Sequence, residues 1–405
     1  MLMTRHSTPC AAAPRLQVFV SDLSATGVVR NAIAIANEAA TSGYEVRLLT
    51  CQPAGVLRNE VRPDVTLINL LGKADRSSPR RSQLKKALFA YRGHCRQWRP
   101  DILLSAGNHG HLLSTIAWAG LPGTKVLRLS NDLDHGSPSL AARLWRGLKF
   151  RLMTGRADLL ILVSRAFTRD ALLCRKIVEG KALIIPNGVA ADDVLRASQL
   201  PCPHPWTQDD SVPIVLAVGR HAPQKNFDTL LKAFALARRQ RPMRLLFLGD
   251  EIGSEGRRLR AMVAGLGLAQ DVDFVPATSS PFPYMSAASV LALPSHWEGS
   301  SNVLLEAMAC GTPVIASRTA GDAEYVLDGG RHGLLVDPQD VDGIASALLV
   351  QTSGSAVEPG PRAWAFDRGA AMRRYVRLFD QVTVAAAAFG SWSREPMTSA
   401  RAVRG

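Results

Sequence analysis

The chain has 405 residues, of which 47% are hydrophobic and 20% charged, a balance that excludes an intrinsically disordered protein and a length that predicts two domains rather than one core. No run of eighteen or more apolar residues occurs, so no membrane-spanning helix is expected. The net charge of +14 is unevenly placed: residues 1–200 hold 28 Lys/Arg against 14 Asp/Glu, whereas residues 201–405 hold 20 against 20, which points to an anionic partner for the first half alone.

Residues 1–14 lack the continuous apolar stretch of a secretory signal and read as a disordered start. Short β-branched runs then alternate with helical patterns, as parallel α/β folds require. In the first half the expected strands are Leu16–Val20, Glu45–Thr50, Val65–Leu70, Asp101–Ser105, Lys125–Ser130, Leu159–Ser164 and Ala182–Pro186. After the first of them, Ser24–Arg30 turns into a helix carrying Val28, Ala32, Ile35, Ala36 and Ala39 inward. After the fourth, Asn108, His109 and His111 open another helix. Two histidines at that spacing have no third ligand in sight, so no metal site is assigned. Asn131 and Asp132 follow the fifth strand.

Two helices concentrate the basic excess. Ser82–Trp98 aligns Leu84, Leu88, Tyr91, Cys95 and Trp98, and no acid occurs between Asp75 and Asp101. Pro138–Met153 aligns Leu140, Leu144, Leu148 and Leu152, with Arg143, Arg146, Lys149 and Arg151 elsewhere on its surface. Both apolar stripes are expected in the core. The concentration of charge suits an anionic lipid surface. Nucleic acid is excluded as a partner, because no motif and no aromatic platform for it is present. Six cysteines are scattered without a Cys-x-x-Cys pair, which suits a reducing cytoplasm.

Residues 199–212, with three prolines and paired Asp209 and Asp210, read as an interdomain linker. It divides an N-terminal domain, 15–198, from a C-terminal domain, 213–363. Strands are expected there at Pro213–Gly219, Arg244–Gly249, Val272–Pro276, Val290–Pro294, Pro313–Ser317 and Gly333–Asp337. The loop after the first holds Arg220 and Lys225 ahead of an amphipathic helix. Arginine grips phosphate oxygens bidentately and lysine adds a mobile charge, so this pair suits a diphosphate. Trp364 is expected to open a C-terminal helix over 364–383, and 384–405 reads as a frayed tail.

Between Glu298 and Glu306 the chain reads Glu-Gly-Ser-Ser-Asn-Val-Leu-Leu-Glu. Two carboxylates bracket a Gly/Ser/Asn turn and the start of a helix, at the end of a strand. Helix N-termini hold phosphate, and carboxylates accept hydrogen bonds from sugar hydroxyls. This segment resembles the Glu-x7-Glu motif of retaining glycosyltransferases of the GT-B fold, most closely family 4. The resemblance implies an α/β fold of two facing Rossmann-like, doubly wound domains with an interdomain cleft, and a C-terminal helix crossing back to the first domain. It also implies roles for single residues. Gly219, Arg220 and Lys225 would bind the donor diphosphate. Glu298 would lie by the transferred sugar, Glu306 by the ribose, and Gly299, Ser300, Ser301 and Asn302 by the sugar and β-phosphate. Of the family's Gly-Gly turn only Gly27 carries over, since Thr26 replaces the first glycine. After the fifth strand the chain reads Arg128-Leu129-Ser130-Asn131-Asp132-Leu133-Asp134-His135, and the family's usual histidine is not at its expected place there. Asn131 and Asp132 stand there instead as catalytic candidates, with Asn108, His109 and His111 on the acceptor side.

The implied function is metal-independent, retaining transfer of a hexose or related sugar from a nucleoside diphosphate to a lipid-linked or glycolipid acceptor, in polysaccharide or lipopolysaccharide assembly. No cofactor is implied beyond the nucleotide-sugar co-substrate. The expected place is the cytoplasm, peripheral at the inner face of the membrane. Two alternatives stay open: a sugar-nucleotide epimerase of similar fold, and a catalytically silent sugar-nucleotide-binding protein.

Overall fold

The computed structural model describes residues 12–24, 26–52, 55–71, 80–130, 140–209, 211–251 and 253–389. Asn131 and Asp132 lie outside the described residues. The first sheet has seven strands: β1 (Arg15–Phe19), β2 (Glu45–Thr50), β3 (Thr66–Asn69), β4 (Ile102–Ser105), β5 (Thr124–Leu129), β6 (Leu159–Leu162) and β7 (Ala182–Ile184). The second has six: β8 (Ile214–Val218), β9 (Arg244–Leu248), β10 (Val272–Val275), β11 (Val290–Leu293), β12 (Val314–Ser317) and β13 (Leu334–Val336). Each matches a run expected from sequence, with β1 and β5 beginning one residue earlier than expected. The orders are β3-β2-β1-β4-β5-β6-β7 and β10-β9-β8-β11-β12-β13, so both sheets are doubly wound and reverse their winding direction once, at β1/β4 and at β8/β11.

Alternation along the strands explains the layers. On β8, Ile214, Leu216 and Val218 pack on one face with Leu304, Leu305 and Met308 of helix Asn302–Ala309. Val215 and Ala217 point the other way, into a cluster with Phe227, Leu230 and Phe234 of helix Phe227–Gln240. Parallel strands covered on both faces need uninterrupted apolar runs, and β4, β6, β11 and β12 are buried at every position. The edge strands β3 and β10 are polar enough to remain partly exposed.

The chain divides into two compact units. Of the described residues, one takes those up to Arg128, Met153–Leu159 and 375–389; the other takes those of Leu129–Leu152 and Leu160–Arg374. Segment 199–212 belongs to the second unit, where His204 is buried and its Nε2 lies 3.1 Å from Asp273 Oδ2. In the first unit, Tyr375 accepts from the buried Arg128 Nε at 3.0 Å, and Tyr44 donates to Asp380 at 2.7 Å. Trp364 does not open the C-terminal helix. It lies in a 3-10 segment, Gly360–Phe366, and the α-helix runs Arg368–Phe389. Asp367 separates them with an extended backbone, and its carboxylate accepts from the amides of Gly369 and Ala370, which caps the new helix.

Among the helices of the first half are α1 (Gly27–Thr41), α2 (Arg80–Trp98), α3 (His111–Ala117) and α4 (Leu140–Arg156). The two basic helices behave differently. On α2, Tyr91, Cys95 and Trp98 of the expected stripe are buried, Leu84 and Leu88 are half-buried, and Ala87 is buried beside them. On α4 the expectation fails: Leu144, Leu148 and Leu152 are exposed, together with Trp145, while Met153 and Thr154 are buried. A helical period fixes which residues share a face, but not which medium that face meets.

Candidate active site

The winding reversal at β8/β11 brings two distant loops together. Val290 pairs with Val215 and Leu291 with Leu216, so the segments after β8 and after β11 leave neighbouring strands at their carboxyl ends, where such sheets bind ligands. The first segment holds Gly219, Arg220 and Lys225; the second holds Glu298 through Asn302 and then Glu306. Gly219 has φ +143°, and a Cβ there would lie 2.6 Å from Lys225 Cε. The missing side chain is therefore what lets the lysine stem lie across the end of β8.

Lys225 Nζ donates to Glu298 Oε1 at 2.7 Å, and the two side chains are only 16% and 11% exposed. The buried Ser295 hydroxyl donates to the same oxygen at 2.8 Å, and Gln224 Nε2 reaches Oε2 at 3.4 Å. A carboxylate with two oxygens so engaged keeps acceptor capacity for one more donor. Arg220 is exposed, and among the described residues no carboxylate pairs with it. Gly299 is buried, while Ser300, Ser301, Asn302 and Glu306 are half-buried. Ser301 flanks the start of helix Asn302–Ala309 without a side-chain cap, and Asn302 Oδ1 accepts from Asn187 Nδ2 at 3.0 Å. Glu306 stands one turn into that helix.

Several residues that hold this site carried no sequence assignment. Asn226 is buried, adopts a left-handed backbone (φ +56°), and donates to the carbonyls of Pro294 and Pro338 at 3.0 and 2.6 Å. It thereby ties the loop after β8 to the ends of β11 and β13. An asparagine between a Pro-containing turn and a helix was its available signal. Gln224 donates to the carbonyl of Trp297 at 2.9 Å, and its own carbonyl accepts from His296 at 2.9 Å. Asp322 accepts from the Ser164 hydroxyl and the amides of Arg165 and Ala166, at 2.8, 2.7 and 3.3 Å. Burial pushes its carboxyl above the ordinary aspartate value, and those donors pull it back only in part. Asp322, Asn187, Ser300 and Ser301 line a small cavity with Pro186 and Phe366. A more open hollow beside Leu236, Arg239 and Asp342 contains no candidate residue.

The first sheet has its own reversal at β1/β4, and Gly27, Asn108, His109 and His111 follow those two strands. Gly27 opens α1, capped by Thr26, whose hydroxyl accepts from the Val29 amide at 3.4 Å. A Cβ on Gly107 would meet Val28 at 3.0 Å, so the 106–111 loop lies against the start of α1. Asn108 is half-buried and His109 exposed. His111 is fully buried, with Nδ1 2.8 Å from the Ser105 hydroxyl. No group of three or more His, Cys, Asp or Glu side chains suited to a metal ion occurs among the described residues. Asp271 pairs with Arg238, and Asp273 with His204.

Two parallel, doubly wound sheets of this order are the architecture of GT-B glycosyltransferases. Sucrose-phosphate synthase from Thermosynechococcus elongatus superposes with a TM-score of 0.76 at 24% identity, over 92% of this chain and all of that one. Residues 212–351 match the model of the glycosyl transferases group 1, and residues 25–193 that of glycosyltransferase family 4. The chain belongs to this glycosyltransferase family. Among its relatives, a D-inositol 3-phosphate glycosyltransferase of Acidothermus cellulolyticus is 33% identical over 53% of this chain and 50% of its own. The lipopolysaccharide core biosynthesis glycosyltransferase LpsE of Rhizobium meliloti is 35% identical over 34% of this chain and 38% of its own. The matches thus span half or less of the curated relatives' length.

Proposed function

We propose that the protein transfers a hexose or related sugar, with retention of configuration and without a metal ion, from a nucleoside diphosphate to a lipid-linked or glycolipid acceptor. The observation that carries the proposal is the bonded Lys225–Glu298 pair at the β8/β11 reversal, beside exposed Arg220 and the start of helix Asn302–Ala309. Lys225 and Arg220 supply the cations a departing diphosphate needs. Glu298, already oriented by Ser295 and Gln224, accepts from a hydroxyl of the transferred sugar, and Glu306 from the ribose. Preorganised charge of this kind stabilises the transition state because it needs no reorganisation as the bond breaks. The bond between the sugar C1 and the β-phosphate oxygen breaks, the acceptor oxygen bonds to C1 from the same face, and its proton passes to a phosphate oxygen.

The family relatives divide over the acceptor. One is named for inositol phosphate and one for lipopolysaccharide core. The cationic excess of residues 1–200 favours the lipid side for this chain, and we place the protein at an anionic membrane surface on the cytoplasmic face. The test measures diphosphate release from UDP-, GDP- and ADP-sugars, with and without a polyprenyl-phosphate-linked or glycolipid acceptor, in EDTA. Acceptor-dependent release with the anomeric configuration kept supports the proposal. Release without acceptor favours the epimerase reading, an inverted product removes retention, and loss in EDTA restored by Mn²⁺ removes metal independence.

A further inference from the structure

Helix α4 is turned inside out relative to an ordinary surface helix. At 100° per residue, Leu144, Leu148 and Leu152 form one stripe and Trp145 lies beside Leu148 and Leu152. These four are 66%, 61%, 42% and 66% exposed. Arg151 borders the stripe on one side and Arg156 on the other, both exposed. The side turned toward the protein carries Met153 and Thr154. Surface helices normally hide the apolar face and show the charged one. A contiguous exposed stripe of three leucines and a tryptophan, rimmed by cations, is a surface built to be covered.

Charge selects what covers it. Residues 140–156 contain five Lys/Arg and no Asp or Glu. A second copy of this chain would bring two such helices together, cation against cation. An anionic bilayer meets both features at once: leucines enter the acyl boundary, the indole sits at headgroup level, and the flanking arginines extend to phosphate. We propose that α4 lies in the plane of an anionic phospholipid surface with Leu144, Trp145, Leu148 and Leu152 inserted. This deepens, and rests on, the anionic-surface part of the proposed function, and is independent of the donor chemistry. It also moves the contact away from α2, whose outer face offers Lys85, Lys86 and Arg96 around the single exposed ring of Phe89.

The experiment is flotation of the full chain with vesicles of phosphatidylcholine alone or of phosphatidylcholine with phosphatidylglycerol, at low and high salt. Wild type is expected to prefer the anionic vesicles by at least about tenfold. Leu144→Gln/Leu148→Gln/Leu152→Gln is expected to lose about tenfold or more of that binding. Because the replaced side chains are solvent-exposed, its melting temperature and nucleoside diphosphate affinity should match wild type. The tryptophan emission of wild type should shift to the blue on anionic vesicles, and Trp145→Phe should lose most of that shift. Lys85→Gln/Lys86→Gln should bind nearly as wild type does. Wild type that ignores anionic vesicles at every salt concentration overturns the surface reading and the helix assignment together. Wild type that binds, with an equally bound triple variant or a weaker Lys85/Lys86 variant, overturns the assignment to α4 alone. A wild-type dimer that dissociates in the triple variant would mean that a second copy covers this face, which also overturns it.

Discussion

The two winding reversals hold their candidate residues in different ways. At β8/β11 the cation and the carboxylate are bonded to each other across the two loops, and Ser295, Gln224 and Asn226 brace the pair. At β1/β4 the most buried polar candidate, His111, is spent on Ser105 of its own unit's β4, and Gly27 offers backbone at the start of a capped helix. The arrangement at β8/β11 is a coupled unit and that at β1/β4 a set of separately anchored parts. Coupled residues respond to mutation non-additively, and separately anchored ones add.

The largest expected effect probes that coupling. Lys225→Ala should lower kcat/KM for sugar transfer by about 2–4 kcal/mol of transition-state stabilisation. It also leaves Glu298 nearly buried without its cation, at a stability cost of about 2 kcal/mol, less than for a fully enclosed pair because water reaches the site. Glu298→Gln should depress turnover more than nucleotide affinity. The double variant should then cost clearly less than the sum of the two, measured by steady-state kinetics and denaturation. Strict additivity would break the contrast between the two reversals.

Next is Asn226→Ala. It removes two bonds to buried carbonyls and places alanine in the left-handed region, together costing about 2 kcal/mol. Urea denaturation reads the loss, and Asn226→Gly should recover only the backbone share. Full recovery by glycine would mean that the carbonyl bonds contribute nothing.

His221 sharpens the comparison through pH. Its ring is fully buried among Phe227, Phe247 and Phe274, and neither ring nitrogen has a partner among the described residues. Burial holds its pKa below the ordinary 6.5. The unfolded chain therefore takes up the proton first, and the stability tied to neutral His221 is complete above pH 6.5 and lost as pH falls below it. His221→Phe should flatten the acid side of the Tm profile and gain roughly 1 kcal/mol near pH 5.5. An unchanged slope between pH 7.5 and 5 would show that other groups set it.

The smallest effect belongs to the first reversal. Thr26→Ala removes a long cap bond and should cost about 0.5 kcal/mol, adding to the Lys225→Ala cost without coupling. A coupling energy above about 0.5 kcal/mol in that cycle would join the two sites energetically.

Much of this was legible in the residues alone. The strands were legible because their runs are mainly apolar, most completely at β4, β6, β11 and β12, where a parallel strand covered on both faces leaves little choice of side chain. The Arg220, Lys225 and Glu298–Glu306 segments were legible because phosphate and sugar recognition demands particular donors and acceptors at short spacing. What sequence could not supply was partnership across distance. That Lys225 bonds Glu298 and that Asn226 reaches Pro294 and Pro338 both depend on strand order, which brings together loops distant in the chain. The clearest division is between α2 and α4. Periodicity determined that each carries an apolar stripe with cations around it. Only tertiary packing decided that Tyr91 and Trp98 are buried while Leu144, Trp145 and Leu148 face solvent, because a stripe is a property of one helix and its burial a property of what lies against it.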